Sequence, residues 1–155
     1  LFVRALRRRG LEPEVILPHR IQDGYGMQPK HVDRFHERGV TLLVLVDTGI
    51  SALAAAKRAA ELGIELLIID HHHAPAAFPK AAAIVHPAKA SMLPAPPSAA
   101  TIGFAVVEAL EGGVWEDRET DLLFAAIGTI ADVMPLQAHN RTLRQLSPRD
   151  RCGDS

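Results

Sequence analysis

Leu66-Leu67-Ile68-Ile69 runs directly into Asp70-His71-His72-His73, so four large apolar residues are followed by an acid and three imidazoles. Imidazole and carboxylate together are a ligand set suited to Zn2+, Mn2+ or Fe2+. Two further acids occupy comparable settings. Asp47 follows Leu42-Leu43-Val44-Leu45-Val46 and precedes Thr48-Gly49, and Asp132 follows an apolar stretch and precedes Val133-Met134-Pro135-Leu136. Position 132 is expected near the core, where a carboxylate needs a partner or a metal because burying it bare is very costly. Each residue also has a plainer reading. Asp47 is the type of residue that fills turns, Asp132 can close a helix end by a hydrogen bond, and the histidines can be exposed loop side chains. Taken together, the three acids and adjacent histidines point to a divalent-metal site. A pair of metals sharing a carboxylate can bind a phosphate, activate water and stabilise a leaving oxygen.

Such a site needs a sheet to assemble it. A short all-apolar run suits a strand covered on both faces, as in a parallel sheet, which predicts strands over 42–46 and 65–69. Between them Ser51 is placed to cap a helix over 52–62 that Gly63 ends. A right-handed crossover makes the two strands parallel, so Asp47 and Asp70 emerge at the same edge, where open α/β sheets place their ligands. Further strands are expected over 14–17 and 82–85. Residues 2–9 read as the last turns of an amphipathic helix stopped by Gly10, and Pro29 opens a helix that Gly39 closes. Two more helices are expected, over 101–110 with Gly112-Gly113 as the stop, and from about 118 to 130. The second carries Leu122, Leu123, Ala126, Ile127 and Ile130 on one stripe. A loop over 19–27 and a Pro- and Ala-rich loop over 88–98 connect these elements. The fold class is therefore α/β, a parallel β-sheet flanked by helices.

Composition narrows the function. With 155 residues and 48% hydrophobic content the chain can build one proper core. A formal net charge of -1 gives no general attraction for nucleic acid or anionic membrane, so an anionic substrate has to be gripped by a local site. The one cysteine, Cys152, rules out a disulfide framework or a cysteine-metal cluster, and suits a reducing cytoplasm. No stretch approaches the roughly 18 apolar residues of a membrane span.

Three blocks carry a family resemblance: Asp70-His71-His72 after its strand, Val46-Asp47-Thr48-Gly49-Ile50-Ser51 upstream, and Gly128-Thr129-Ile130-Ala131-Asp132-Val133-Met134-Pro135-Leu136 downstream. They resemble the DHH phosphoesterase superfamily, in particular its single-stranded-DNA-specific exonucleases. Pro18 to Gly26, Ala83-Ile84-Val85-His86-Pro87, Ile102-Gly103-Phe104 and Asn140-Arg141 extend the match in the family's order. The resemblance implies that Asp47 bridges two Mn2+ or Mg2+ ions and that His71 and Asp132 are ligands. It also implies that His72 lies by the scissile phosphate or the metal shell, and that Asp70 orients the histidines through hydrogen bonds. His73 falls outside the motif and is expected to be a solvated loop side chain. Arg20 and Tyr25 fall in a loop near the site, without an assigned role.

The implied activity is metal-dependent phosphodiester hydrolysis, 5′-to-3′ on single-stranded DNA, in recombination and repair in the cytoplasm. Two other readings stand beside it. One is a relative acting on short oligonucleotides, cyclic dinucleotides or pyrophosphate; the other is an inactive α/β scaffold. The family's first motif, an Asp-x-Asp-Ala-Asp-Gly-like run, does not occur in the sequence. Residues 1–144 are accordingly expected to be a partial DHH domain, incomplete at its N-terminal edge, with weak single-metal binding and little turnover. Residues 145–155 are expected to be a disordered or aberrant tail.

Overall fold

The computed structural model describes residues 1–17, 26–89, 96–138 and 140–142. The expectations for Arg20, Tyr25, the 90–95 part of the second loop and the 145–155 tail fall outside the described residues. The chain forms two compact units, Ile16–Ala90 and a second made of Leu1–Val15 with Ser91–Ser155. In chain order the described α-helices are α1 (Phe2–Arg8), α2 (Pro29–Glu37), α3 (Leu53–Glu61), α4 (Ala99–Glu111) and α5 (Arg118–Ala131).

In the first unit, β1 (Leu42–Val46), β2 (Glu65–Ile69) and β3 (Ala83–Val85) form a sheet in the order β1-β2-β3, with both pairings parallel. The β1–β2 register sets Val46 opposite Ile69, so the two strands end level and the acids that follow them start from one edge. Ile68 and Ile69 of the central strand are both fully buried, as a run of unbroken apolar residues requires. Helices α2 and α3 flank the sheet. Their contact is made by Val32, Ala55, Ala56 and Ala59 with Ile64 and Leu66. Alanine on α3 permits this close approach, because a short side chain lets backbone and neighbouring side chains reach interior packing density. The helix begins after Ala52 rather than Ser51, and no side chain caps it. The Ala52 N–H instead bonds the Gly49 carbonyl in a turn, which displaces the cap expected at Ser51 by one residue.

The segment 14–17 makes no strand. Val15, Ile16 and Leu17 are exposed, Leu17 to 87%, and no ladder partner for them exists among the described residues. An apolar quartet is strand-like only when its backbone groups find partners, and here the pairings are among β1, β2 and β3.

The second unit holds α1, α4 and α5. Ser98 caps α4 by accepting the Thr101 N–H, and Gly112 closes it in the left-handed conformation. Gly128 of α5 meets Ala100 of α4 so closely that an added Cβ would overlap the alanine methyl. The buried stripe of α5 is Asp121, Leu122, Ala125, Ala126 and Thr129, whereas Ile127 and Ile130 are about half exposed. This rotates the expected stripe. The cause is polar: Asp121 turns inward to meet Arg4 and Arg8 of α1, and Thr129 turns inward to Ser98 and Thr101.

Candidate metal centre

Asp47 leaves β1 in the left-handed backbone conformation, φ 63°, which aspartate adopts more readily than most residues. Its N–H still bonds the Ile69 carbonyl at 2.9 Å, so the ladder reaches one residue past β1 before the chain turns. Gly49, at φ 107°, completes the turn. A Cβ there would come within 2.9 Å of Leu45 Cδ1 and 3.3 Å of Ile68 Cγ2. The glycine is thus required twice, for its backbone angle and for its contact with the sheet.

Asp70 is buried to 1% exposure at the end of β2. Its N–H bonds the Val85 carbonyl, extending the β2–β3 ladder in the same way. One carboxylate oxygen, Oδ2, accepts the Ile50 N–H at 2.9 Å, which ties the turn after β1 to the end of β2. The other, Oδ1, accepts the N–H groups of His71 and His72 and stands 2.6 Å from His72 Nδ1. Burial pushes the Asp70 pKa up, but the His72 ring and the backbone N–H groups of Ile50 and His72 outweigh it, holding the carboxyl below its ordinary value. The carboxylate therefore stays charged although it is buried.

The two strand ends converge. His71 Nε2 lies 3.2 Å from Asp47 Oδ1, and the rings of His71 and His72 are 4.8 Å apart between centroids. Asp47, His71 and His72 each offer a ligand atom, all within 4.8 Å of one another. The donor set, one carboxylate and two imidazoles at neighbouring strand ends, fits a divalent transition-metal ion. A cleft beside them is lined by Thr48, Gly49, Ile50, Asp70, His72 and His73. His73 itself is exposed.

Asp132 belongs to the second unit, as the residue that ends α5, and it is exposed rather than near the core. It follows the buried positions Ala125 and Thr129 at helical spacing, but the helix stops at Ala131, before the stripe reaches it. The next residue, Val133, has a left-handed φ of 54°. Residue chemistry alone singled out Asp47, Asp70, His71, His72, His73 and Asp132 and gave no role to His86. That side chain is buried to 6% and its Nε2 lies 2.7 Å from the His72 carbonyl oxygen. Its sequence signals were its place directly after β3, mirroring Asp47 after β1 and Asp70 after β2, and its block 83–87 in the family resemblance.

Known proteins share this architecture. The model of the DHH family, N-terminal domain, matches residues 1–129. The single-stranded-DNA-specific exonuclease RecJ of Escherichia coli (strain K12) is 37% identical over 158 residues, covering 92% of this chain and 27% of the relative. RecJ of Bacillus subtilis (strain 168) is 36% identical over 148 residues, covering 94% of this chain and 18% of the relative. The chain therefore spans about a quarter or less of these proteins. Among solved structures, exonuclease RecJ bound to manganese superposes with a TM-score of 0.83 at 32% identity, covering 94% of this chain and 38% of that one. RecJ in complex with Mn2+ from Thermus thermophilus gives 0.77 at 28% identity, covering 94% and 21%. By the match over residues 1–129, and with its Asp70-His71-His72 triplet at the end of a central parallel strand, this chain belongs to the DHH family.

Proposed function

We propose that the chain supplies ligands for a divalent metal, Mn2+ or Mg2+, to a phosphodiesterase of the RecJ kind, which removes nucleotides 5′-to-3′ from single-stranded DNA in repair and recombination. The observation that carries this reading is the gathering of ligand atoms from Asp47, His71 and His72 within 4.8 Å at the ends of two paired strands. The RecJ relatives, named for single-stranded-DNA-specific exonuclease action, and the manganese-bound neighbours support it. Among the described residues no helix is long and apolar enough to cross a membrane, and a cytoplasmic setting with DNA as the partner is part of the same proposal.

In this reading Asp47 and His71 hold the ion, and Asp70 keeps the His71-His72 backbone and the His72 ring in place. His72 stands at the cleft where a phosphate would lie. Asp132 enters as a further ligand on the strength of the sequence resemblance. A bound divalent ion supplies Lewis-acid activation of the phosphate and of the attacking water. The Asp-x-Asp-Ala-Asp-Gly-like run of the family does not occur in these 155 residues. The ligands present are therefore a partial set, and we expect weak uptake of a single ion with little turnover. The near-neutral charge agrees, since a stand-alone groove for single-stranded DNA is usually basic.

The test is a Mn2+ titration by calorimetry on the wild-type chain and on Asp47→Ala and His71→Ala, with folding checked by circular dichroism. Binding by the wild type that vanishes in both folded variants is the expected result. A folded wild-type chain that takes up no Mn2+ would overturn the reading, as would uptake that both substitutions leave intact. Robust Mn2+-dependent nuclease activity from this chain would contradict the expected low turnover.

A further inference from the structure

His86 closes a bridge that the metal ligands do not explain. It follows β3 directly, and its side chain is buried, with the Phe78 ring edge-on at 6.1 Å between centroids. The Ala88 N–H donates to His86 Nδ1 at 3.1 Å, so that nitrogen carries a lone pair. The proton of the imidazole must then sit on Nε2, which faces the His72 carbonyl oxygen at 2.7 Å and donates to it. These two bonds fix the tautomer and satisfy both nitrogens.

His72 is consequently held along its whole backbone. Its N–H is bonded to Asp70 Oδ1 and its carbonyl to His86, while its ring nitrogen Nδ1 meets Asp70 Oδ1. We infer that His86 is a positioning residue for the metal centre: by gripping the His72 carbonyl from the end of β3, it fixes the turn that aims His71 and His72 toward Asp47. The inference rests on the metal reading above and deepens it. Asp70 holds the turn from the end of β2, by the N–H groups of His71 and His72, and is itself tied to the Ile50 N–H, but none of these bonds reaches the His72 carbonyl. His86 supplies the second anchor, from a separate strand and 14 residues further along the chain. Two anchors on different strands fix an orientation that one anchor cannot.

Three measurements on the full chain test it. In metal-free protein, the 15N shifts of the His86 ring should report a protonated Nε2 and an unprotonated Nδ1; the opposite tautomer overturns the inference and needs no variant to fold. Amide exchange, again without metal, should speed up selectively at His71 and His72 in His86→Ala and recover in His86→Gln, whose amide N–H can still reach the carbonyl. Unchanged exchange in folded His86→Ala, or an equal rise throughout the molecule, overturns it, since the latter marks general loss of stability. Finally, Mn2+ affinity should fall about tenfold in His86→Ala, as loss of a supporting partner typically does, and be largely regained in His86→Gln. Wild-type affinity in folded His86→Ala overturns the role. Failure of the wild type to take up Mn2+, with the local exchange effect present, would sink the metal reading alone and uphold the brace.

Discussion

Among the described residues each unit buries one aspartate completely, and the two are satisfied in opposite ways. Asp121, fully buried on α5, accepts from Arg4 Nε at 2.8 Å, Arg8 Nη2 at 3.0 Å and Trp115 Nε1 at 2.9 Å. Asp70, at the end of β2, accepts from three backbone N–H groups and meets one imidazole nitrogen. Two guanidinium groups cancel the charge of the first. One imidazole and three backbone donors stabilise the charge of the second. A carboxylate of the first kind clamps α1 to α5. One of the second kind lies at a strand end lined with histidines, where a cation gains by approaching. The same residue type, equally buried, thus clamps helices in one unit and holds the turn of the proposed metal centre in the other.

Breaking the comparison at both ends should give the largest effects. Asp121→Ala leaves Arg4 and Arg8 with a buried acceptor removed, and should cost about 3 kcal/mol in urea unfolding, the low end for a broken buried pair because both arginines still reach solvent. Its folded form should bind Mn2+ as the wild type does. Asp70→Asn keeps the shape but sets an amide donor against donors, and should cost only about 1–2 kcal/mol while lowering Mn2+ affinity about tenfold. If Asp121→Ala damaged metal binding more than Asp70→Asn, the contrast between the two sites would be lost.

Acid should act on both sites in the same direction. At Asp121 burial pushes the pKa up, but Trp115, Arg4 and Arg8 outweigh it and hold the carboxyl below its ordinary value, as the His72 ring and backbone donors do for Asp70. A carboxylate with a lowered folded pKa contributes stability that is complete above the unfolded value, about 3.9, and is lost as the pH falls through the folded value. The urea midpoint should therefore drop below about pH 4, and Asp121→Asn should drop less steeply than the wild type. An equal slope in the two proteins would remove Asp121 from this account.

The smallest effect concerns backbone strain beside the two candidate acids. Asp47 itself takes a left-handed conformation that suits its residue type, whereas Val133, next to Asp132, takes one that a β-branched residue resists. Val133→Gly relieves that strain and should stabilise the chain by about 0.5–1 kcal/mol, the strain outweighing the extra entropy of glycine. A destabilised variant would mean that the valine side chain, 87% exposed, has packing value that its position does not reveal.

Much of this was legible in local pattern. The apolar runs marked β1 and β2 to the residue, Pro29, Gly39, Gly63 and Gly112 marked helix ends, and the level ends of two parallel strands brought Asp47 and Asp70 to one edge. These are properties of neighbours in sequence: a run of apolar residues, a ring or a missing Cβ restricting the backbone, a crossover of fixed hand. The tertiary structure alone decided that 14–17 finds no strand partner, and that α5 turns Asp121 and Thr129 inward and Ile127 and Ile130 outward. It alone paired Asp70 with the Ile50 N–H and His86 with the His72 carbonyl, across 20 and 14 residues. A hydrophobic period records how often a side chain faces the core. It does not record which distant donor meets a buried carboxylate, and in this protein those distant donors set which aspartate packs helices together and which one braces the proposed metal centre.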